Sequence, residues 1–214
     1  AKLDQFAGGV QYQSLSLYDW SLRFRKELCR QVSPIQANGQ KTEMIPDVLN
    51  FSVWEDRIYV ERSREGFVIE VFDAGGTRIA RIAHPHDAVP VTEAAKVEAL
   101  ERFKSDPFVR RMGFEKFKIY SEFVWPEELP PIRDITVADG SIYVRTPRSA
   151  GGKDRWIILD LAGRILGRSD LPRIDTAPLM ASLYGVSYHA IRGRKLYFLK
   201  DNEKTEEWEL FIEE

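Results

Sequence analysis

His84-Pro85-His86-Asp87 is the densest run of metal-ligating side chains in the chain. A metal centre needs three or four converging N, O or S donors, and a proline between two histidines fixes one φ without making the rings converge. The third histidine, His189, falls in a strand pattern near the C-terminus. If that strand lines a channel, His189 could meet a ligand there, with His84 or His86 as further donors. The simpler expectation for all three is burial or turn stabilisation. Two other side chains are candidate ligand contacts: Trp125, set beside prolines in Phe123-Val124-Trp125-Pro126, and Arg133, at the head of the strand that follows Pro130-Pro131. Packing is the competing role for Trp125.

Covalent catalysis has no constellation to support it. There is no Gly-x-Ser-x-Gly elbow. Gly151-Gly152-Lys153 lacks the spacing of a phosphate loop and reads as a hairpin loop. Asp19, Asp73 and Asp160 recur at one place in a repeat, which makes them turn formers whose carboxylates bond nearby amides. Cys29 stands alone in an apolar-polar alternation, so no internal disulfide is available and a small packing role is expected.

The positioning elements are strands. Arg57-Ile58-Tyr59-Val60, Ser141-Ile142-Tyr143-Val144 and Lys195-Leu196-Tyr197-Phe198 repeat one motif, each after a turn. Asp139-Gly140 is the clearest of these turns, because Asp-Gly readily takes the positive φ of a tight hairpin. A second strand follows in each copy: Leu15 to Asp19, Val68 to Asp73, Trp156 to Asp160, and Trp208 to Ile212. Gly76 and Gly163 lie three residues past their aspartates, whereas Leu22 holds that place in the first copy. The copies fall near the ~50-residue period of a propeller blade, except that Asp73 to Asp160 is longer by about 34 residues.

The surplus is helical and spans about residues 91–124. Thr92 is a candidate N-cap, and Ala94, Val97, Leu100 and either Phe103 or Phe108 suggest one apolar face. Asp106-Pro107 restarts a short helix and Gly113 ends it. Lys and Arg at 96, 102, 104, 110 and 111 are interleaved with Glu98 and Glu101, the pattern of a solvated face. Long excursions from a compact repeat are often functional, so this segment is the first place to seek a binding surface.

Composition bounds the partners. A net charge of −2, a pI near 6.0, 43% hydrophobic and 12% aromatic residues describe a globular chain without the basic excess that nucleic-acid binding requires. No apolar run approaches the ~18 residues of a membrane span. The chain starts at Ala1 with no leader pattern, so a removed leader, a removed upstream domain and a cut chain are equal expectations. A periplasmic or secreted location follows only from the first.

Pro130 to Ile135, Asp139 to Val144, and Trp156 to Asp160 with Gly163 resemble a blade of the six-bladed β-propellers of the NHL and TolB-like group. Lys195 to Phe198 with Trp208 to Leu210 resembles the last blade of bacterial members. The resemblance covers about residues 10–90 and 130–214. It implies an all-β fold, a single β-propeller over residues 1–214 with about three and a half four-stranded blades, its first copy an outer pair only. Such a ring is incomplete, so the expectation is a C-terminal portion lacking N-terminal blades or a half-ring that pairs as a homodimer. The group's metal ligands and catalytic residues find no matches here, so none is carried over. The function expected is non-catalytic binding or scaffolding of a protein, peptide or carbohydrate, with no cofactor and no metal. The alternative is a metal-dependent lactonase- or lyase-like enzyme with its metal in the channel.

Overall fold

The structure, a computed structural model, describes residues 2–7, 9–34, 36, 41–173, 189–202 and 207–213. Ala1 and Glu214, on which the expectation of an incomplete ring partly rests, lie outside them. The fold is mainly antiparallel β with one helical excursion. In chain order come β1 (Lys2–Ala7), β2 (Val10–Tyr18), β3 (Phe24–Val32) and β4 (Lys41–Glu43). Then follow β5 (Phe51–Trp54), β6 (Arg57–Glu61), β7 (Phe67–Asp73) and β8 (Arg78–His84). The excursion contains α1 (Glu93–Ser105), α2 (Pro107–Met112), α3 (Phe114–Tyr120) and β9 (Glu122–Val124). The rest is β10 (Asp134–Ala138), β11 (Ser141–Ala150), β12 (Lys153–Asp160), β13 (Ile165–Pro172), β14 (His189–Arg192), β15 (Lys195–Asn202) and β16 (Glu207–Glu213).

The chain divides into two compact units. The described residues of Ala1–Leu49 and Ala88–Leu129 form the first, and those of Asn50–Asp87, Pro130–Ala177 and Val186–Glu214 the second.

In the first unit β1, β2 and β3 form an antiparallel meander. The first copy therefore has three strands where the sequence suggests two, because the polar Lys2-Leu3-Asp4-Gln5 lacks the β-branched signature. Cys29 is buried on β3. β4 and β9 pair in parallel, and a buried Thr42–Ser121 hydroxyl contact of 2.7 Å lies beside them. The helices pack on Phe103, whose ring meets Phe117 at 5.3 Å and Phe123 at 5.5 Å. Thr92 caps α1 through the Ala95 amide, and the Asp106 carboxylate caps α2 through the Phe108 and Val109 amides. Val97 is exposed, contrary to the apolar face the sequence suggests, because the buried side chains of α1, Ala99 and Phe103, share one face at i, i+4 spacing and two residues carry Val97 to the other side of the helix. No helix among the described residues is long and apolar enough to cross a membrane.

In the second unit three meanders follow one plan: β5 to β8, β10 to β13, and β14 to β16. Hairpin turns start each: Asp139 and Gly140 take φ 50° and 73°, and Gly193 and Arg194 take 58° and 60°. The strands then alternate two apolar faces. Ile135, Val137, Ile142 and Val144 pack with Tyr59, Ile69 and Val71 of the β5–β8 sheet. From the opposite face of the same sheet, Tyr143 and Trp156 pack with Ile191, Leu196 and Phe198 of the β14–β16 sheet. Each such side chain contributes about 1.5–3 kcal/mol on full burial.

The aspartate turns repeat atom for atom. Leu22, Gly76 and Gly163 each donate their amide to the carbonyl of Asp19, Asp73 or Asp160 at 2.9 Å. The carboxylates cap the same turns, Asp73 through the Thr77 amide at 2.8 Å and Asp160 through the Arg164 amide at 2.8 Å. Leu22 accepts the glycine's role at φ 58°, a conformation costly for a side chain with Cβ.

Candidate functional site

Strand pairing in the second unit assembles a polar cluster at one end of an apolar interface. Register sets Asp134 on β10 opposite Arg145 on β11, and Arg145 opposite Trp156 on β12. His189, first residue of β14, completes the cluster from the neighbouring sheet. Its Nε2 lies 3.5 Å from Asp134 Oδ2 and 3.4 Å from Thr136 Oγ1, with its ring edge-on to Trp156 at 5.7 Å. Arg145 reaches toward two carboxylates, Asp154 at 3.6 Å and Asp134 at 3.9 Å.

The cluster is enclosed. Side-chain exposure is 4% for His189 and 7% for Arg145. Burial pushes the His189 imidazole below its ordinary range; Asp134 opposes this and Arg145 adds to it. His189 is therefore neutral at neutral pH. The Asp134 carboxylate is fixed by the Ile135 amide at 2.8 Å. Arg145 Nε and Trp156 Nε1 are enclosed without a hydrogen-bond partner, an arrangement that costs stability.

Chemically, a histidine, a carboxylate and a hydroxyl within reach of one another could pass a proton. Their enclosure gives them a second capacity, which is to fix one sheet against the next through directional contacts that apolar side chains lack. Arg133 adjoins this cluster in sequence and ties β10 to β11 by donating its amide to the Arg145 carbonyl at 2.8 Å.

The other candidate residues take separate partners. His84 closes β8 with its Nε2 2.8 Å from the Gly163 carbonyl and its ring edge-on to Phe67. His86 lies over Gly66, where an added Cβ would sit 3.1 Å from the imidazole. Asp87 pairs with Arg148 at 2.6 Å on the surface. Among the described residues no three His, Cys, Asp or Glu side chains are placed to hold a metal ion. Trp125, in the first unit, is half-buried against Met44, Phe103 and Val109.

Sequence reasoning misses Asp134, Arg145 and Asp154. One signal is present: Arg145 continues the alternation Ile142-Tyr143-Val144 onto a core-facing position, where a cation needs a buried carboxylate. A second network escapes in the same way. Glu70 on β7 is buried and meets Arg78 at 2.5 Å and Arg62 at 3.7 Å. Beside it, burial raises the Glu65 carboxyl, but hydrogen bonds from Arg62 and Arg81 outweigh this and leave it below its usual range.

Among the described residues the helical excursion carries another exposed assembly. Phe108 and Met112 on α2 and Ile119 on α3 are exposed large apolar side chains. Arg110, Arg111 and Lys116 are exposed between them, while Lys104 and Lys118 lie over the Phe114 ring.

No protein-family model and no curated protein matches this chain.

Proposed function

We propose that this chain is a non-catalytic binding or scaffolding module, part of a β-propeller of the NHL and TolB-like kind, that recognises a protein or peptide through the surface of α2 and α3. The propeller reading draws support from the leading strands of the three meanders in the second unit. β10 lies beside β5, with the Val137 amide bonded to Ser52 Oγ at 2.9 Å, and its Thr136 faces His189 of β14. Leading strands set side by side are what blades around a common axis require.

The observation that carries the binding reading is the α2–α3 surface. It mixes exposed aromatic and aliphatic side chains with arginine, the composition enriched at protein interfaces. Its shape is set beforehand by the cap at Asp106, the turn at Gly113 and the Phe103 cluster, so little ordering is lost on binding. By contrast, the histidines and aspartates that could do chemistry are committed to turns, strand ends and ion pairs.

A photo-crosslinking phenylalanine placed at Ile119 tests the reading in the native host. The expected result is one discrete, saturable adduct whose yield collapses in the Arg110→Glu/Arg111→Glu variant. Adducts of equal yield in both proteins, or none in either, would overturn it.

A further inference from the structure

The helical excursion carries its charge unevenly. α1 sets Glu93, Glu98 and Glu101 against Lys96, Arg102 and Lys104, and closes two ion pairs of its own, Lys96 with Glu93 at 2.6 Å and Lys104 with Glu101 at 2.8 Å. α2 and α3 set Arg110, Arg111, Lys116 and Lys118 against Glu115 alone. Among the described residues Arg110, Arg111 and Lys116 are exposed and take no ion-pair partner, while Lys118 Nζ lies 6.0 Å from the Phe114 ring centroid. Asp106, the carboxylate just before α2, is buried and engaged by the Phe108 and Val109 amides. A chain of net charge −2 thus holds a local cationic surface.

Apolar side chains are interspersed with these cations. Helical spacing puts Phe108, Arg111 and Met112 on one side of α2, and Lys116 and Ile119 on one side of α3. Phe108 is 43% exposed, Met112 45% and Ile119 77%, and the Phe108 ring meets Phe117 edge-on at 6.4 Å, which joins the two helices. A guanidinium can hold a carboxylate through two parallel hydrogen bonds, and each exposed apolar side chain adds a contact beside it. A lipid surface fits less well. Insertion asks for an unbroken apolar face with cations at its rim, whereas Arg111 shares the face of Phe108 and Met112.

We propose that the α2–α3 surface takes an acidic polypeptide segment, one whose carboxylates are interspersed with aromatic or aliphatic side chains. This names the class of partner for the proposed function and rests on that reading.

A short fluorescein-labelled peptide of Glu, Asp, Leu and Phe serves as the probe, with a counterpart that carries Lys at every acidic position, each titrated against the intact protein by anisotropy. The acidic peptide should bind saturably, the basic one about tenfold more weakly or worse, and added salt should narrow the gap. The Arg110→Glu/Arg111→Glu/Lys116→Glu variant should reverse the order, a swap that general stickiness cannot produce. Ile119→Ser should weaken the acidic peptide with no change of charge. No binding at about millimolar peptide, equal binding of both peptides, or an order that survives the charge reversal would overturn the proposal. So would binding to phosphatidylserine vesicles, lost in the charge-reversal variant, when neither peptide binds. The crosslink at Ile119 separates the two ideas. A discrete adduct mapped by mass spectrometry to a neutral or basic segment would overturn the acidic partner and leave the proposed function standing, whereas the absence of any adduct would overturn the proposed function itself.

Discussion

Among the described residues, the β10–β13 sheet is packed on both faces, whereas the β14–β16 sheet is packed on one. Both are built from the same Tyr-centred hairpin and follow the same register. Trp156 is enclosed between them, while Leu210, at the matching position of the last sheet, is exposed. The difference teaches that the strand pattern specifies the sheet, but the neighbour decides what each side chain contributes. The aspartate turns repeat the lesson. Gly163 is pressed against Ile82, while Leu22 stands exposed in the same turn.

The largest expected contrast follows. Trp156→Ala should cost about 3–5 kcal/mol by emptying a core position. Leu210→Ala should stay within about 0.5 kcal/mol. Urea unfolding of both variants checks this, and equal losses would mean that the β16 face is covered in solution.

The next contrast lies in the turns. A Cβ at Gly163 would fall 2.7 Å from Ile82 Cγ2, at a φ of 89°. Gly163→Ala therefore meets both a clash and an unfavourable backbone, for about 2–4 kcal/mol. At Gly140, with φ 73° and nothing within 4 Å, only the backbone penalty remains, about 1–2 kcal/mol. Adding Ile82→Ala should recover part of the Gly163→Ala loss and none of the Gly140→Ala loss, readable as coupling in a double-mutant cycle.

These contrasts also mark what the sequence made legible. Alternation around Tyr59, Tyr143 and Tyr197 and the Asp139-Gly140 turn foretell the strands and their pairing, because both signals are local. β4 and β9 leave no trace, since three-residue strands are too short to show a period. The cluster around His189 joins residues about 55 apart in sequence through register between separate sheets, and register is a non-local property. Adjacency misled in the opposite sense. His84, His86 and Asp87 are neighbours in the chain, yet β8 ends at His84 and the chain leaves the sheet at Pro85, so His84 meets the Gly163 carbonyl, His86 lies over Gly66 and Asp87 pairs with Arg148.

His189 offers a contrast that shows only with pH. Its imidazole is held below the ordinary value of 6.5 by burial, against the pull of Asp134 and with the push of Arg145. A group whose folded value is depressed takes up its proton more readily when unfolded, so stability is complete above pH 6.5 and declines as pH falls below it. The decline should loosen the seam between the β10–β13 and β14–β16 sheets. Denaturant titrations at pH 7.5 and 5.5 should show the loss in the parent protein and a smaller one in His189→Gln. An unchanged pH dependence in the variant would assign the effect to other groups.

The smallest expected effect has the opposite sign. Leu22 adopts φ 58° in a turn whose other copies use glycine, and its side chain is 82% exposed. The left-handed conformation costs a residue with Cβ about 1–2 kcal/mol, and the greater freedom of glycine in the unfolded chain returns about half of that. Little packing is lost with an exposed leucine, so Leu22→Gly should stabilise the protein by about 0.5–1 kcal/mol. Thermal unfolding should register this as a modest rise in Tm, with the Asp19 turn otherwise intact. A fall in Tm would mean that Leu22 is covered in solution, and the exposed turn would then join the covered ones.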